Sequence, residues 1–335
     1  MTTLSPDRPL HLGVVGGGAW GTALAQVAAA GGPVTLWARS AEVVDAINRD
    51  HANPAYLPGV ALSPAIVATT DSAALQSCDA LLLVTPAQHM RDVMAGLPMG
   101  DRPLILCSKG IEAGTQLLMS EVAAECRPDA PIAVLSGPTF AHEVAAGLPT
   151  AVTLACEDDA LGERLANRIA RSSFRPYRSA DVVGAEIGGA VKNVLAIACG
   201  VVSGHGLGQN AGAALIARGF AEMARFGAAK GATSASLAGL AGLGDLVLTC
   251  SSTASRNFSL GVGLGRGERA VDLLAHRRTV AEGAATAPVL VETARALGVE
   301  MPIAEAVCAL LSGDVAVGAA IEQLLTRPLT PEHRL

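Results

Sequence analysis

The sequence predicts an α/β N-terminal domain built on a doubly wound parallel sheet, followed by an all-α C-terminal domain. Three observations carry that prediction. In the first half, short apolar runs at residues 12–15, 34–37, 66–69, 80–85, 104–107 and 132–135 alternate with helical stretches. Strands that are apolar throughout are expected where a sheet is buried on both faces. Directly after the first of those runs comes the turn Gly16-x-Gly18-x-x-Gly21, and the Ala-rich segment 22–30 follows it. Past Asp181 the β-branched runs become rare and the pattern turns helical, so strand–helix alternation gives way to helix alone.

Taken in order, the six runs are the strands of the sheet, and residues 151–155 and 174–177 finish the domain. In the second half, residues 213–229 are helical, with Arg218, Glu222 and Arg225 recurring at the spacing of one face. Gly239, Gly242 and Gly244 read either as a loop or as a close helix contact. At 335 residues the chain exceeds the size at which one hydrophobic core stops growing. Two domains are therefore expected, residues 1–181 and residues 182–335.

Bulk chemistry excludes several function classes. With 24 basic and 30 acidic residues and a net charge of −6, the chain has no basic stripe able to neutralise a series of nucleic-acid phosphates. The densest basic cluster, His276-Arg277-Arg278, reads as a solvated helix end. Residues 10–30 carry no formal charge, but three consecutive glycines would break an apolar helix and Arg8 is a poor positive flank, so neither a targeting segment nor membrane insertion is expected. The seven cysteines stand singly, which suggests neither a zinc site nor a disulfide framework and suits a reducing cytoplasm. No metal site is expected.

A glycine fingerprint is weak unless its context agrees, and here a strand enters it and a helix leaves it. Gly16 then makes the tight turn, Gly18 lets a pyrophosphate approach the backbone, and Gly21 lets helix pack on strand, in the manner of a Rossmann-type nucleotide domain. At the end of the second strand, where an acidic residue would hold the ribose hydroxyls of NAD, the chain has Ala38-Arg39-Ser40. Arg39 suits a 2′-phosphate and favours NADP over NAD. The alternative is a side chain that only points into solvent.

Lysine is scarce, and one lysine sits in Gly188-Gly189-Ala190-Val191-Lys192-Asn193-Val194-Leu195, a helical stretch with almost no other polarity. No carboxylate one turn away can pair with it, so Lys192 must find its partner elsewhere in the fold or in a substrate. A lysine starts near pKa ~10.4, and a working proton donor needs a value of roughly 7 to 8. Burial among glycines and apolar residues supplies a shift of that sign; a structural lysine snorkelling to the surface is the competing reading. Lys109 follows the fifth strand, at the carboxyl edge where ligands of open α/β sheets gather. Ser136-Gly137-Pro138-Thr139 follows the sixth and offers backbone donors and a hydroxyl at a helix start. Asp245 ends the glycine-rich loop, and Ser255-Arg256-Asn257 suits a phosphate through its fork-shaped cation, although a surface turn would look the same. Nucleophile-elbow, phosphate-loop and zinc-protease motifs are absent.

Five segments together, Gly16 to Ala25, Ser136 to Ala141, Gly188 to Asn193, Ala241 to Leu246 and Ser255 to Asn257, resemble bacterial NAD(P)-dependent glycerol-3-phosphate dehydrogenase in order and spacing. The resemblance runs from Leu12 to about Leu325. It implies reversible NAD(P)H-dependent reduction of dihydroxyacetone phosphate to sn-glycerol 3-phosphate for phospholipid synthesis, with residues 1–181 binding the dinucleotide and residues 182–335 the substrate. It further implies that Lys192 is the catalytic proton donor and a substrate contact. The substrate pocket implied by the family pattern is Lys109, Gly137, Thr139, Asp245, Ser255, Arg256 and Asn257. Lys109 and Arg256 also reach the cofactor in that pattern, joining Gly16, Gly18, Ala19, Trp20, Gly21, Arg39, Ala141, Val280 and Glu282. The implied partners are a small-molecule substrate and, as an assembly, a homodimer. Two residues depart from the pattern: Ala19 stands where serine is usual, and Ala281 where a second valine is frequent. Without the serine hydroxyl at position 19, backbone donors remain and cofactor affinity falls by about 1 kcal/mol at most. A β-hydroxyacid or 6-phosphogluconate type dehydrogenase shares the architecture and the helical lysine, and a redox-sensing protein without turnover shares the nucleotide fold; intact Lys192 argues against the second.

Overall fold

The computed structural model describes residues 9–275 and 281–328; the basic cluster 276–278 and Val280 lie outside the described residues. The chain divides into two compact units. One takes the residues up to Ser108 together with Met119–Val182, and the other takes Lys109–Leu118 and the residues from Val183 onward.

The first unit holds an eight-stranded sheet in the order β3-β2-β1-β4-β5-β6-β7-β8. Its strands are β1 Leu12–Val15, β2 Val34–Trp37, β3 Ile66–Thr69, β4 Ala80–Leu83, β5 Leu104–Leu106, β6 Ile132–Ser136, β7 Thr150–Cys156 and β8 Phe174–Ser179. The first seven grow from apolar runs that the sequence marks, and β8 grows from the more polar segment 174–177. β1 lies between β2 and β4, so the strand order reverses there, and doubly wound sheets bind ligands at such a switch point. Leu12, Val14, Leu36, Ala80, Leu82 and Ile105 are buried on one face against the helices Ala19–Ala29 and Asp159–Ile169. Local signals set the helix starts: Ser40 accepts a hydrogen bond from Val43 N, and Asp158 from Leu161 N at 3.0 Å, each satisfying a first-turn donor.

The expectation of a wholly parallel sheet needs one correction, because β7 runs antiparallel to β6 while β8 runs parallel to β7. The helix between β6 and β7, Ala141–Ala145, has five residues and spans about 8 Å, roughly half the length of a five-residue strand. It cannot carry the chain back to the amino edge, so β7 starts where β6 ends. The eleven-residue helix Asp159–Ile169 is long enough for the full crossover to β8.

The second unit is helical. Among its described residues the only strand-like pairing is the isolated bridge between Ile111 and Leu118, two residues that are themselves fully buried in its core. Its central helix, Val182–Gly204, is long and apolar enough to cross a membrane, but 83% of its most apolar window is buried inside the protein. It is a core helix. On the helix Gly208–Ala229, Arg218 and Arg225 are half-buried while Glu222 between them is buried. Glu222 is 1% exposed and its carboxylate accepts from Ile303 N at 2.7 Å and Ala304 N at 3.2 Å, holding the start of the helix Pro302–Ser312. Burial pushes its pKa up to about 7, against those two N–H donors and the nearby arginines. The glycine cluster resolves as a wide π-helical turn, Leu240–Gly244, closed by Gly244 N donating to Gly239 O at 3.0 Å.

Candidate functional site

Within the first unit, the glycine turn is built almost entirely of backbone. Gly16 takes φ of +126°, and a Cβ there would lie 2.6 Å from the Val84 carbonyl oxygen. A Cβ on Gly21 would run into the carbonyl of Gly16, so the helix could not return so closely over the turn. Gly18 differs: a Cβ there would meet nothing within 4 Å, so the surroundings are open to an incoming group. Gly18 caps the helix Ala19–Ala29 without any side-chain hydrogen bond, which leaves the first-turn N–H groups as donors for an anion. Trp20 Nε1 is buried without a hydrogen-bond partner among the described residues. These features fit the pyrophosphate of a dinucleotide. Arg39 is exposed, directly after β2 and before the Ser40 cap. Gly137, with φ of +153°, turns against Val152, where a Cβ would come within 2.9 Å of Cα. Thr139 Oγ1 donates to Gly137 O at 3.2 Å, and Ala141 starts the helix Ala141–Ala145.

Within the second unit the site is built of charged side chains. Two of the chain's three lysines meet on one carboxylate. Lys192 Nζ donates to Asp245 Oδ1 at 2.6 Å and Lys109 Nζ to Asp245 Oδ2 at 2.7 Å. Asp245 is fully buried, and the side chains of Lys192 and Lys109 are 8% and 13% exposed. Lys192 Nζ also donates to Thr249 Oγ1 at 2.9 Å, and Thr249 in turn donates to Asp245 Oδ1 at 3.2 Å. The turn Leu240–Gly244 sets Asp245 at the start of the helix Asp245–Cys250. That approach depends on Gly188, four residues before Lys192, where a Cβ would strike the Ala241 carbonyl and come within 2.8 Å of Gly242 Cα.

Burial lowers the pKa of Lys192 to about 8; Asp245 opposes that shift and the Lys109 cation reinforces it. A carboxylate shared between two ammonium groups holds one of them charged more easily than both, so Lys192 is poised to release its proton near neutrality.

Glu282 opens the helix Glu282–Ala296. Burial raises its pKa, while Arg256, Lys109 and Lys192 pull it down. Three cations therefore face two carboxylates, and the surplus of positive charge suits an anionic substrate. Arg256 is exposed at the first position of the helix Arg256–Gly265, so its cation and the helix N-terminus lie together and both favour negative charge there. Ser255 is that helix's N-cap, accepting from Phe258 N at 3.2 Å, which leaves its hydroxyl proton for another acceptor. Asn257 Nδ2 donates to Asn193 Oδ1 at 2.9 Å, and its own Oδ1 accepts from Gly283 N at 3.1 Å. This link requires close helices: a Cβ on Gly261 would lie 2.9 Å from Gly200 Cα.

The second unit thus gathers Lys109, Lys192, Asp245, Arg256 and Glu282 around shared charges, with Ser255 and Asn257 beside Arg256 in sequence. The first unit carries Gly137, Thr139, Ala141 and the glycine turn; Val280 lies outside the described residues. Thr249 and Asn193 escaped the sequence reasoning. Thr249 stands four residues after Asp245, one helical turn on, and that spacing was the available signal.

Residues 11–162 match the family described as NAD-dependent glycerol-3-phosphate dehydrogenase N-terminus, and residues 181–322 match its C-terminus. The chain is 62% identical over 323 residues to glycerol-3-phosphate dehydrogenase (NAD(P)+) 1 of Sphingopyxis alaskensis, covering 96% of this chain and 98% of that one. It is 64% identical over 324 residues to the glycerol-3-phosphate dehydrogenase (NAD(P)+) of Erythrobacter litoralis, with the same coverage. Among solved structures, the glycerol-3-phosphate dehydrogenase of Coxiella burnetii matches with a TM-score of 0.90 at 37% identity, over 95% of this chain and 99% of that one.

Proposed function

This chain belongs to the NAD-dependent glycerol-3-phosphate dehydrogenase family, and we propose that it catalyses the reversible NAD(P)H-dependent reduction of dihydroxyacetone phosphate to sn-glycerol 3-phosphate. The observation that carries the mechanism is the buried Lys109–Asp245–Lys192 cluster with its lowered Lys192 pKa. When bound, the reduced nicotinamide supplies the hydride that adds to the C2 carbonyl. Lys192 Nζ gives its proton to the oxygen that becomes the C2 hydroxyl, and in the reverse direction takes it back. Asp245 and Thr249 hold Nζ in place; Lys109 keeps the Lys192 proton labile and offers a second donor to the substrate.

Arg256, with the helix start behind it and with Ser255 and Asn257 alongside, binds the substrate phosphate. Gly137 and Thr139 are assigned to the substrate, and Ala141, Val280 and Glu282 to the cofactor, on the resemblance of their segments. Residues 1–181 act as the dinucleotide-binding domain, apart from the segment Lys109–Leu118 that packs with the second unit, and residues 182–335 act as the catalytic domain. The turn Gly16 to Gly21 takes the pyrophosphate, and Arg39 takes the 2′-phosphate, so NADPH is preferred over NADH. The proposal includes a cytoplasmic, homodimeric enzyme whose product enters glycerophospholipid synthesis.

Steady-state kcat/KM for dihydroxyacetone phosphate with NADPH and with NADH tests substrate and cofactor together. Turnover with both and a larger value with NADPH are expected. Absence of turnover of dihydroxyacetone phosphate by the folded protein would overturn the assignment.

A further inference from the structure

The residues assigned to the glycine turn all lie inside it, yet a side chain 36 residues further along holds it in shape. Asn53 is 1% exposed. Its Nδ2 donates to Gly17 O at 3.0 Å and to Thr22 Oγ1 at 2.8 Å; Thr22 is fully buried in the helix Ala19–Ala29. The orientation of the amide follows from its other end. Tyr56 N lies 3.3 Å from Oδ1, and a backbone N–H can only donate, so Oδ1 faces Tyr56 and Nδ2 faces the turn. Asn53 is itself anchored, since Leu57 N donates to its carbonyl at 2.8 Å.

The chain contains no cis peptide bond among the described residues. In a trans peptide the C=O and the following N–H point in opposite directions. By gripping Gly17 O from the protein side, Asn53 turns the N–H of Gly18 to the other side, away from the protein. Gly18 is also the one glycine of the fingerprint around which a Cβ would find nothing within 4 Å. With Ala19 lacking the hydroxyl that serine would bring, the turn depends on its backbone donors, and their aim is set by the Gly17–Gly18 peptide plane.

We propose that Asn53 is a positioning residue for dinucleotide binding: it touches no ligand and aims the Gly18 N–H at the pyrophosphate through the Gly17 carbonyl. This rests on the dinucleotide reading of the turn given above. Asn53→Asp is near-isosteric and keeps the acceptor for Tyr56 N, but replaces the donor facing Gly17 O with an oxygen; Asn53→Ala removes both. Thr22→Val removes the neighbouring hydroxyl, together with its long 3.5 Å bond to Gly17 O, and leaves the shorter Asn53 bond to that carbonyl in place.

The full-length variants are titrated with NADPH, followed by nicotinamide fluorescence, and with adenosine 2′-monophosphate, which carries neither phosphate of the pyrophosphate, followed by calorimetry. Kd for NADPH is expected to rise about tenfold in Asn53→Asp and Asn53→Ala, with adenosine 2′-monophosphate binding within about twofold of the parent protein and Thr22→Val close to parent for both. Equal losses for the two ligands, or unchanged NADPH binding with a lowered Tm, would make Asn53 purely structural and overturn the proposal. A loss in Thr22→Val as large as in the Asn53 variants would overturn it too. If the parent protein binds neither ligand, the dinucleotide reading fails and takes this proposal with it; parent binding that the variants retain removes this proposal alone.

Discussion

The two units solve different binding problems with different materials. In the first, the turn from Gly16 to Gly21 presents backbone donors, and the residues that matter most are those whose missing side chains make room. In the second, Lys109, Lys192 and Asp245 form a nearly dry cluster of charges. Backbone donors keep their chemistry whatever side chain they carry, so only a change of shape can disable them. Charges are the reverse: their positions can stand while a neighbour retunes them. A pyrophosphate needs fixed donors in both oxidation states of the cofactor, whereas a proton donor must change state within each turnover.

The largest effect that contrast predicts is at Lys192. Lys192→Ala lowers kcat by about 10² to 10⁴, with Tm nearly unchanged, because Asp245 keeps Lys109 and the removed ammonium was itself disfavoured by burial. A large loss of Tm would mark Lys192 as structural instead. The parent protein carries the matching pH signature. Lys192 is protonated below its pKa of about 8, so reduction slows as pH rises through that value and oxidation quickens. Pre-steady-state rates in both directions between pH 6 and about 10 read this limb, which Lys192→Ala loses.

Next in size is Gly18→Ala. Gly18 has ordinary extended dihedrals, φ −74° and ψ −177°, and open space where the methyl would go, so the variant keeps its Tm. The methyl occupies the path of the pyrophosphate, and Kd for NADPH rises by about 10- to 100-fold. Thermal melts alongside fluorescence titration would separate these; unchanged affinity would break the contrast between a site made of shape and a site made of charge.

The smallest effect is at Arg39, an exposed residue whose attraction for a phosphate is screened by solvent. Arg39→Asp weakens NADPH about tenfold while altering NADH much less. Equal changes in the two Kd values would discard the 2′-phosphate contact.

Much of this architecture was legible locally. Apolar runs bounded by turn signals marked the strands, since a strand buried on both faces must be apolar along its whole length. The turn Gly16 to Gly21 announced itself because strand, glycines and helix are adjacent in sequence. Lys192 stood out because a charge in an apolar helical stretch has to be explained. The direction of β7 was not legible: apolar runs look alike in either direction, and it took the shortness of the helix Ala141–Ala145 to reverse the chain.

Each segment's own residues fix what it wants, namely strand or helix, buried or exposed, a turn that accepts a phosphate, a lysine that requires a partner. Which segments meet is fixed by packing over long stretches of chain. Asp245 lies 53 residues from Lys192 and 136 from Lys109, and Asn53 lies 36 residues from the turn it holds. Glu222 looked like part of a charged helix face until the start of the helix Pro302–Ser312 was found on its carboxylate. Propensity and periodicity act over a few residues, within one turn or one strand, whereas the pKa of Lys192 and the aim of the Gly18 N–H are set by atoms distant in sequence, brought close by packing inside each unit's own core.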